Sequence, residues 1–267
     1  MPPFLQYLRE DVVILVITMA TFTLLGLVAG RLPSLRRDGL RLDFIFYFVQ
    51  RLFLRATYAL LLLPVAALGW STRTATAPGA TGVAAWPLWL QSAVAFLIWE
   101  LVIYWQHRVL HTRHLWPLHI VQHSSPEVDW LSIFRMHPVE VLVYLLTMPL
   151  LLAVGFSVQC VAVIGLFRMF HNSFAHADLP WTLGPLGWIV ASPVFHRWHH
   201  EREKEAEAKN FASAIALYDL LFGTYYHPPG VWPAHFGVTE PLPASFYGQL
   251  AHPFRSWLGR VERSGSA

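Results

Sequence analysis

The sequence predicts an all-α integral membrane protein, a helical bundle of four or five membrane helices that includes a helical hairpin and carries a cytosolic histidine-rich helical cap. Three observations lead there. The 267 residues are 55% apolar and only 13% charged, with a mean hydropathy of +0.44, whereas soluble domains carry about 25% charge. Several apolar runs, uncharged or carrying one or two charges, are long enough to cross a hydrocarbon core of about 30 Å. Fourteen histidines are present and none precedes His107, so the polar chemistry is gathered in the second half of the chain.

The first apolar run, Val12 to Gly30, has nineteen residues without a charge. A signal peptide would show a shorter apolar core after a basic start. Here the run follows Arg9-Glu10-Asp11, so a retained helix is expected. A basic loop follows with Arg31, Arg36, Arg37 and Arg41. The second run, Phe44 to Trp70, is interrupted by Arg51 and Arg55, which share a helix face and are expected to snorkel toward the basic loop. Ser71 to Ala85 is rich in Ala, Thr, Gly and Pro and reads as a loop. A third run, Trp86 to Trp105, carries Glu100 near its end and passes directly into the first histidine knot. Val139 to Phe170 is too long for one span. Pro149 and Gly155 lie near its middle, so a hairpin entering and leaving by one face is expected. Residues 1–85 thus form an N-terminal membrane part, 86–240 the histidine-bearing domain and 241–267 a tail.

Lys and Arg set orientation. The basic loop and the cations Arg197, Arg202, Lys204, Lys209 and Arg255 all fall on one side if the histidine-rich half faces the cytosol. That side would be the inner face of the cell inner membrane in a bacterium. The net charge of +3 and the absence of a basic stripe between aromatics give no nucleic-acid footprint. A single cysteine, Cys160, excludes an intramolecular disulfide and a multi-cysteine metal site.

His107 and His111 are four apart, as are His119 and His123, and His196, His199 and His200 follow an i, i+3, i+4 pattern. On helices each set lies on one face, and neutral imidazole is the commonest protein metal ligand. One such pair is common by chance. Three sets at the ends of apolar segments point to a centre for one or two metal ions, because so many imidazoles are costly to bury unpaired. Arg108 follows His107, where a zinc hydrolase of the HExxH type has glutamate. Many nitrogen donors without a thiolate suit a pair of redox-active ions, iron first. A haem needs histidines facing each other across a bundle rather than clustered at helix ends. His114 and His252 read as solvated, and His227 and His235 as structural loop residues. His227-Pro228-Pro229-Gly230 lacks the sequence and the following length of a haem-binding domain, and the charged stretch Glu201 to Lys209 reads as a solvated face.

The motifs ExxxYWxHRVLH, HLWPLHxxxHSS, DWLSIFRMHPVE, FAHADLPWTLGPLGWIVASPVFHRWHH, KNFA and YDLLFGTYY resemble the membrane fatty acid hydroxylase superfamily, in its sterol desaturase branch. The resemblance runs from about Glu100 to Val238 and covers the linking motifs as well as the histidines. It implies a membrane-bound oxygenase with two iron ions, which uses O2 as co-substrate and electrons from a separate donor protein (cytochrome b5-like or ferredoxin-like) to hydroxylate or desaturate a lipid C–H bond. Sterol, fatty acyl or related lipids all fit. Carried over by position, the metal ligands are His107, His111, His119, His123, His176, His196, His199 and His200. Gln122 stands where the family pattern has histidine, which weakens or opens one metal position. Asn172 and Asp178 are candidates for direct or supporting roles at the metals, His137 reads first as a supporting or structural residue and second as a metal contact, and Glu201 is a further carboxylate that could support a ring. Trp105, Trp116, Trp181, Trp188 and Trp198 are expected at the membrane interface or the lipid entrance. The rival implication of Gln122 is a catalytically inert metal-binding membrane protein of the same fold.

Overall fold

The computed structural model describes residues 3–31, 36–67, 81–203 and 206–259, and among them every regular element is helical. Two long helices open the chain, α1 (Pro3–Val28) and α2 (Leu40–Ala67). The third long helix, α3 (Leu88–Leu110), runs unbroken through Glu100 into the first histidines. Two helices, Leu5–Val28 and Leu88–Leu110, are long and apolar enough to cross a membrane. Most of the predicted loop at 71–85 lies outside the described residues; its end, Gly82–Ala85, is a 3-10 turn.

The fourth apolar region folds as the predicted hairpin, built from α5 (Pro138–Leu145), α6 (Thr147–Val154) and α7 (Val158–His176). Its sequence explains the breaks. Pro149 has no N–H to offer the carbonyl of Leu145, so α5 ends there and α6 begins one residue on. Gly155 turns the chain in the left-handed region at φ 112°. Ser157 then caps α7 by accepting from the Cys160 N–H at 3.3 Å. The hairpin packs on α3 through Trp99, Ile103, Leu151, Leu152, Phe156, Cys160 and Ile164. Between membrane helices, packing and interhelical polar contacts replace the hydrophobic effect. Gln106 Nε2 donates to the Val143 carbonyl at 2.7 Å, and the Gln91 Oε1 accepts from the Ser157 N–H at 3.0 Å. Across the same interface, Arg168 of α7 is paired with Glu100 of α3, both buried.

Arg51 and Arg55 do not snorkel to the basic loop. They reach sideways to α1, where both bond Asp11 Oδ1 (2.8 and 2.7 Å) and Arg55 also pairs with Glu10. An acid one helix away is a nearer partner for a guanidinium in an apolar surround than water at the interface. The basic loop instead docks on the DWLSIFR segment. Arg37 bonds Asp43 (2.6 Å) and Asp129 (2.7 Å), and Arg135 bonds Asp43 (2.5 Å) and the Gly39 carbonyl (2.9 Å). Gly39, at φ 81°, leaves no room for a Cβ beside Arg135.

Short helices complete the molecule: α4 (Trp116–His123), α8 (Pro193–His199), α9 (Leu217–Leu221) and α10 (Phe246–Trp257). The predicted tail is therefore partly ordered, since α10 packs on α4 and α2. That packing buries His252, which is 3% exposed and not solvated as its sequence neighbourhood suggested. His114 is exposed. Residues beyond 259 lie outside the described part. Among the tryptophans, Trp105 and Trp188 are exposed, but Trp198 is buried against Tyr226 and Trp116 packs on His111 and His123. Trp116 lies three and seven residues before His119 and His123 and so shares their face, whereas Trp198 sits with Val194 on the other face of α8.

Candidate metal centre

Each histidine reaches the centre from a differently anchored element. His107 leaves the last turn of α3 and His111 is that helix's C-cap. His119 and His123 occupy one face of α4, which starts with Pro117 in its first turn. His176 is the last residue of α7. His196 and His199 lie in α8 and His200 is its C-cap; Ser192 accepts from the Phe195 N–H at 3.0 Å and Pro193 opens the first turn.

The structure brings all eight together in two adjoining groups. His107, His111, His119, His123 and His199 place a ring nitrogen each within 4.8 Å of one another, and so do His176, His196 and His200. The groups touch through the stacked rings of His123 and His200, with centroids 4.5 Å apart. Seven of the eight residues are no more than 6% exposed, and His111 is half-buried.

The ring nitrogens show what the centre lacks. His107 Nδ1 donates to the Phe211 carbonyl (2.7 Å), His199 Nδ1 to the Lys209 carbonyl (2.7 Å), His176 Nδ1 to the Asn172 carbonyl (2.8 Å) and His119 Nδ1 to Glu140 Oε1 (2.6 Å). With the proton held at Nδ1, each Nε2 carries a lone pair. Yet His107 Nε2 and His119 Nε2 are 3.0 Å apart, His123 Nε2 is 3.1 Å from His119 Nε2, and His111 Nε2 is 3.3 Å from His199 Nε2. His196 and His200 each put Nε2 at 3.2 Å from that of His176. The lone pairs of His107 and His119 face each other and repel unless a cation lies between them, and outer partners that fix Nδ1–H are the usual support of metal-ligating histidines. Protons do not provide the cation. Burial first, and neighbouring imidazoles second, push His111, His119, His123, His196 and His200 well below the ordinary 6.5, and burial does the same to His199. The donor set therefore fits metal ions. The spacing leaves no gap for a porphyrin between facing rings.

The supporting candidates separate. Asn172 supports His176 through its backbone carbonyl, while its side chain bonds Ser213 Oγ at 2.5 Å. Asp178 does not approach the rings: it pairs with Arg197 and with Arg31, and its side chain is 43% exposed. Arginines on two neighbouring elements draw it outward. His137 is also away from the centre. Its Nδ1 caps α5 by accepting from the Val139 N–H (3.2 Å), and its Nε2 donates to the Leu250 carbonyl (3.1 Å). Glu201 accepts from the Ala234 and His235 N–H groups (2.6 and 2.9 Å) and fastens a loop rather than a ring. Gln122 lies against the second group, with Nε2 3.4 Å from His176 Nε2.

Glu140 is the functional residue that the sequence reading missed. The available signal was a lone carboxylate opening an apolar hairpin, since ionisable groups at membrane depth are seldom idle. Asp219 is a further support: it accepts from the Phe211 and Ala212 N–H groups, both at 2.8 Å, and so fixes the carbonyl that orients His107.

A cavity of about 750 Å³ between α2, α3 and the hairpin α5–α7 reaches these rings. Its walls are largely apolar, with Ile103, Val141, Leu145, Met148, Leu152 and Val161 among them, and its inner end is His107, Gln122, His176 and His196.

The sequence pattern described as fatty acid hydroxylase matches residues 92–224, the segment that holds all eight histidines. The chain belongs to the fatty acid hydroxylase family. Similar fatty acid hydroxylase superfamily proteins include an ornithine lipid hydroxylase of Rhizobium tropici, 31% identical over 67% of this chain and 55% of that protein. An alkylglycerol monooxygenase of Danio rerio is 32% identical over 59% of this chain and 34% of its own length. A methylsterol monooxygenase of Arabidopsis thaliana is 28% identical over 48% and 50%. The chain thus spans about half or less of the length of these relatives. No solved structure matches it.

Proposed function

We propose that this fatty acid hydroxylase family member is a membrane-bound di-iron oxygenase that hydroxylates, or desaturates, a lipid at an unactivated carbon. The observation that carries the reading is the meeting of a largely apolar cavity with two groups of converging imidazoles. His107, His111, His119, His123 and His199 hold one iron, and His176, His196 and His200 the other. Two bound irons would supply the activation of dioxygen that no side chain can provide.

The chain's own residues do the rest. The Phe211, Lys209 and Asn172 carbonyls and Glu140 hold the ligand rings in one tautomer, so the site is preorganised. The apolar cavity wall excludes water and aligns a lipid chain, so that one carbon lies before His107, His176 and His196. Residues 86–240 form the catalytic domain, and four or five membrane helices hold it at the inner face of the membrane, with the histidines toward the cytosol. Electrons come from a separate cytochrome b5-like or ferredoxin-like protein. The relatives act, by name, on ornithine lipid, alkylglycerol and methylsterol; the substrate here is a lipid of that kind, sterol, fatty acyl or related. Gln122 adjoins only one of the two groups, so nothing favours the inert reading.

The test is to purify the chain in detergent, measure iron per chain, and assay oxygen-dependent product from lipid extracts with a reductant system. Bound iron and a product heavier by one oxygen, or lighter by two hydrogens, are expected. A stable protein that takes up no iron and yields no product would overturn the reading.

A further inference from the structure

We propose that the two metal positions are unequal, and that Gln122 makes the position of His176, His196 and His200 the weaker one and the one open to substrate. This deepens the oxygenase reading and rests on it. Four observations carry it.

The donor count is uneven: five imidazoles surround one position and three the other. Gln122 falls on the poorer side, with its amide 3.4 Å from His176 Nε2. That nitrogen has only a lone pair to offer, because its ring donates from Nδ1 to Asn172. The amide N–H therefore faces it when the amide points this way. Turning the amide end for end presents Oε1 instead, a neutral oxygen that binds iron less strongly than an imidazole.

The outer support is uneven as well. Three rings of the five-histidine group have orienting partners, one of them the carboxylate of Glu140. In the three-histidine group His176 has a carbonyl, while His196 Nδ1 is buried without a hydrogen-bond partner among the described residues. Finally, the cavity end is formed by Gln122, His176 and His196 from the poorer side and by His107 alone from the richer. A metal held by three imidazoles and a weak oxygen keeps coordination free, as catalytic sites with three protein ligands do, and here that freedom borders the lipid cavity.

The experiment is iron retention by the full chain in detergent, loaded anaerobically with ferrous iron and dialysed against graded chelator. The wild type should lose iron in two steps separated by at least tenfold in free iron, the lower end of what outer partners alone contribute. Gln122→His should move the weaker step toward the tighter one. His200→Ala should abolish only the weaker step and His199→Ala the tighter, which assigns the steps even if the glutamine variant does not fold. Loss of both irons in a single wild-type step, or a folded Gln122→His protein with the gap unchanged, overturns the inequality while leaving the oxygenase reading in place. Failure to retain iron at either position removes both.

Discussion

Along α1, Val13, Ile17, Leu24 and Val28 are 49–74% exposed, whereas His119, Glu140, Glu100 and Asp219 are completely buried. The N-terminal helices turn apolar side chains outward and the histidine layer turns polar ones inward. An outward apolar face needs a cover, lipid or protein. Inward polar groups are stable only when each has a partner. Between α1 and α2 the ion pairs are partly exposed: Arg51 and Arg55 on Asp11 and, for Arg55, Glu10. In the histidine layer the partners form a continuous set, and the last of them, at the converging Nε2 atoms, would be the metal ions of the proposed function. The two regions should therefore respond very differently to the loss of one side chain.

The largest effect is expected at a ligand. His107→Ala removes a nitrogen that faces both the richer metal group and the cavity. Turnover should fall by more than about 100-fold, beyond the loss from any orienting partner, with iron per chain falling in parallel. Next is Glu140→Gln, which keeps the shape and an acceptor for His119 Nδ1 but removes the charge. Iron affinity should drop by about 10–100-fold, measured by dialysis against chelator, and Glu140→Asp should recover part of it. Unchanged affinity would mean that Glu140 only fastens α5.

Glu100→Ala strands the buried Arg168 and frees the Ala214 N–H, which now donates to Glu100 Oε2 at 2.7 Å. Breaking such a pair costs about 3–5 kcal/mol, readable as a fall in the thermal midpoint in detergent. Acid should act in the same direction on the histidine layer. The folded rings outside the membrane helices titrate well below 6.5. Below about pH 6.5 the unfolded chain therefore binds protons that the folded chain refuses. Stability and iron retention should be level above that pH and decline together as it falls through 6 and lower; dialysis and melting at pH 7.5, 6.5 and 5.5 check this. The smallest effect belongs to the N-terminal pair. Arg55→Ala removes a side chain 27% exposed, for which less than about 1 kcal/mol is expected. A loss as large as that of Glu100→Ala would erase the contrast between the two regions.

The histidine spacings within α3, α4 and α8 were legible because ligands four apart on a helix share a face wherever that helix goes. So was the hairpin, since the missing N–H of Pro149 and the left-handed Gly155 act through their own backbone. Other assignments failed for a common reason. Asp178 follows a ligand by two residues, yet Arg31 and Arg197 draw it outward. Arg51 and Arg55 looked solvent-seeking until α1 supplied acids. Each depends on a partner from a distant part of the chain.

By itself, then, the sequence determined the helices, their apolar faces and which imidazoles each could present, because those follow from backbone periodicity and local turn chemistry. Only the tertiary structure decided that the eight rings divide five and three, that Gln122 stands with the three, and that Glu140 rather than Asp178 or His137 backs one of those rings. Those are distances between segments tens of residues apart, and no local rule fixes them before the helices pack.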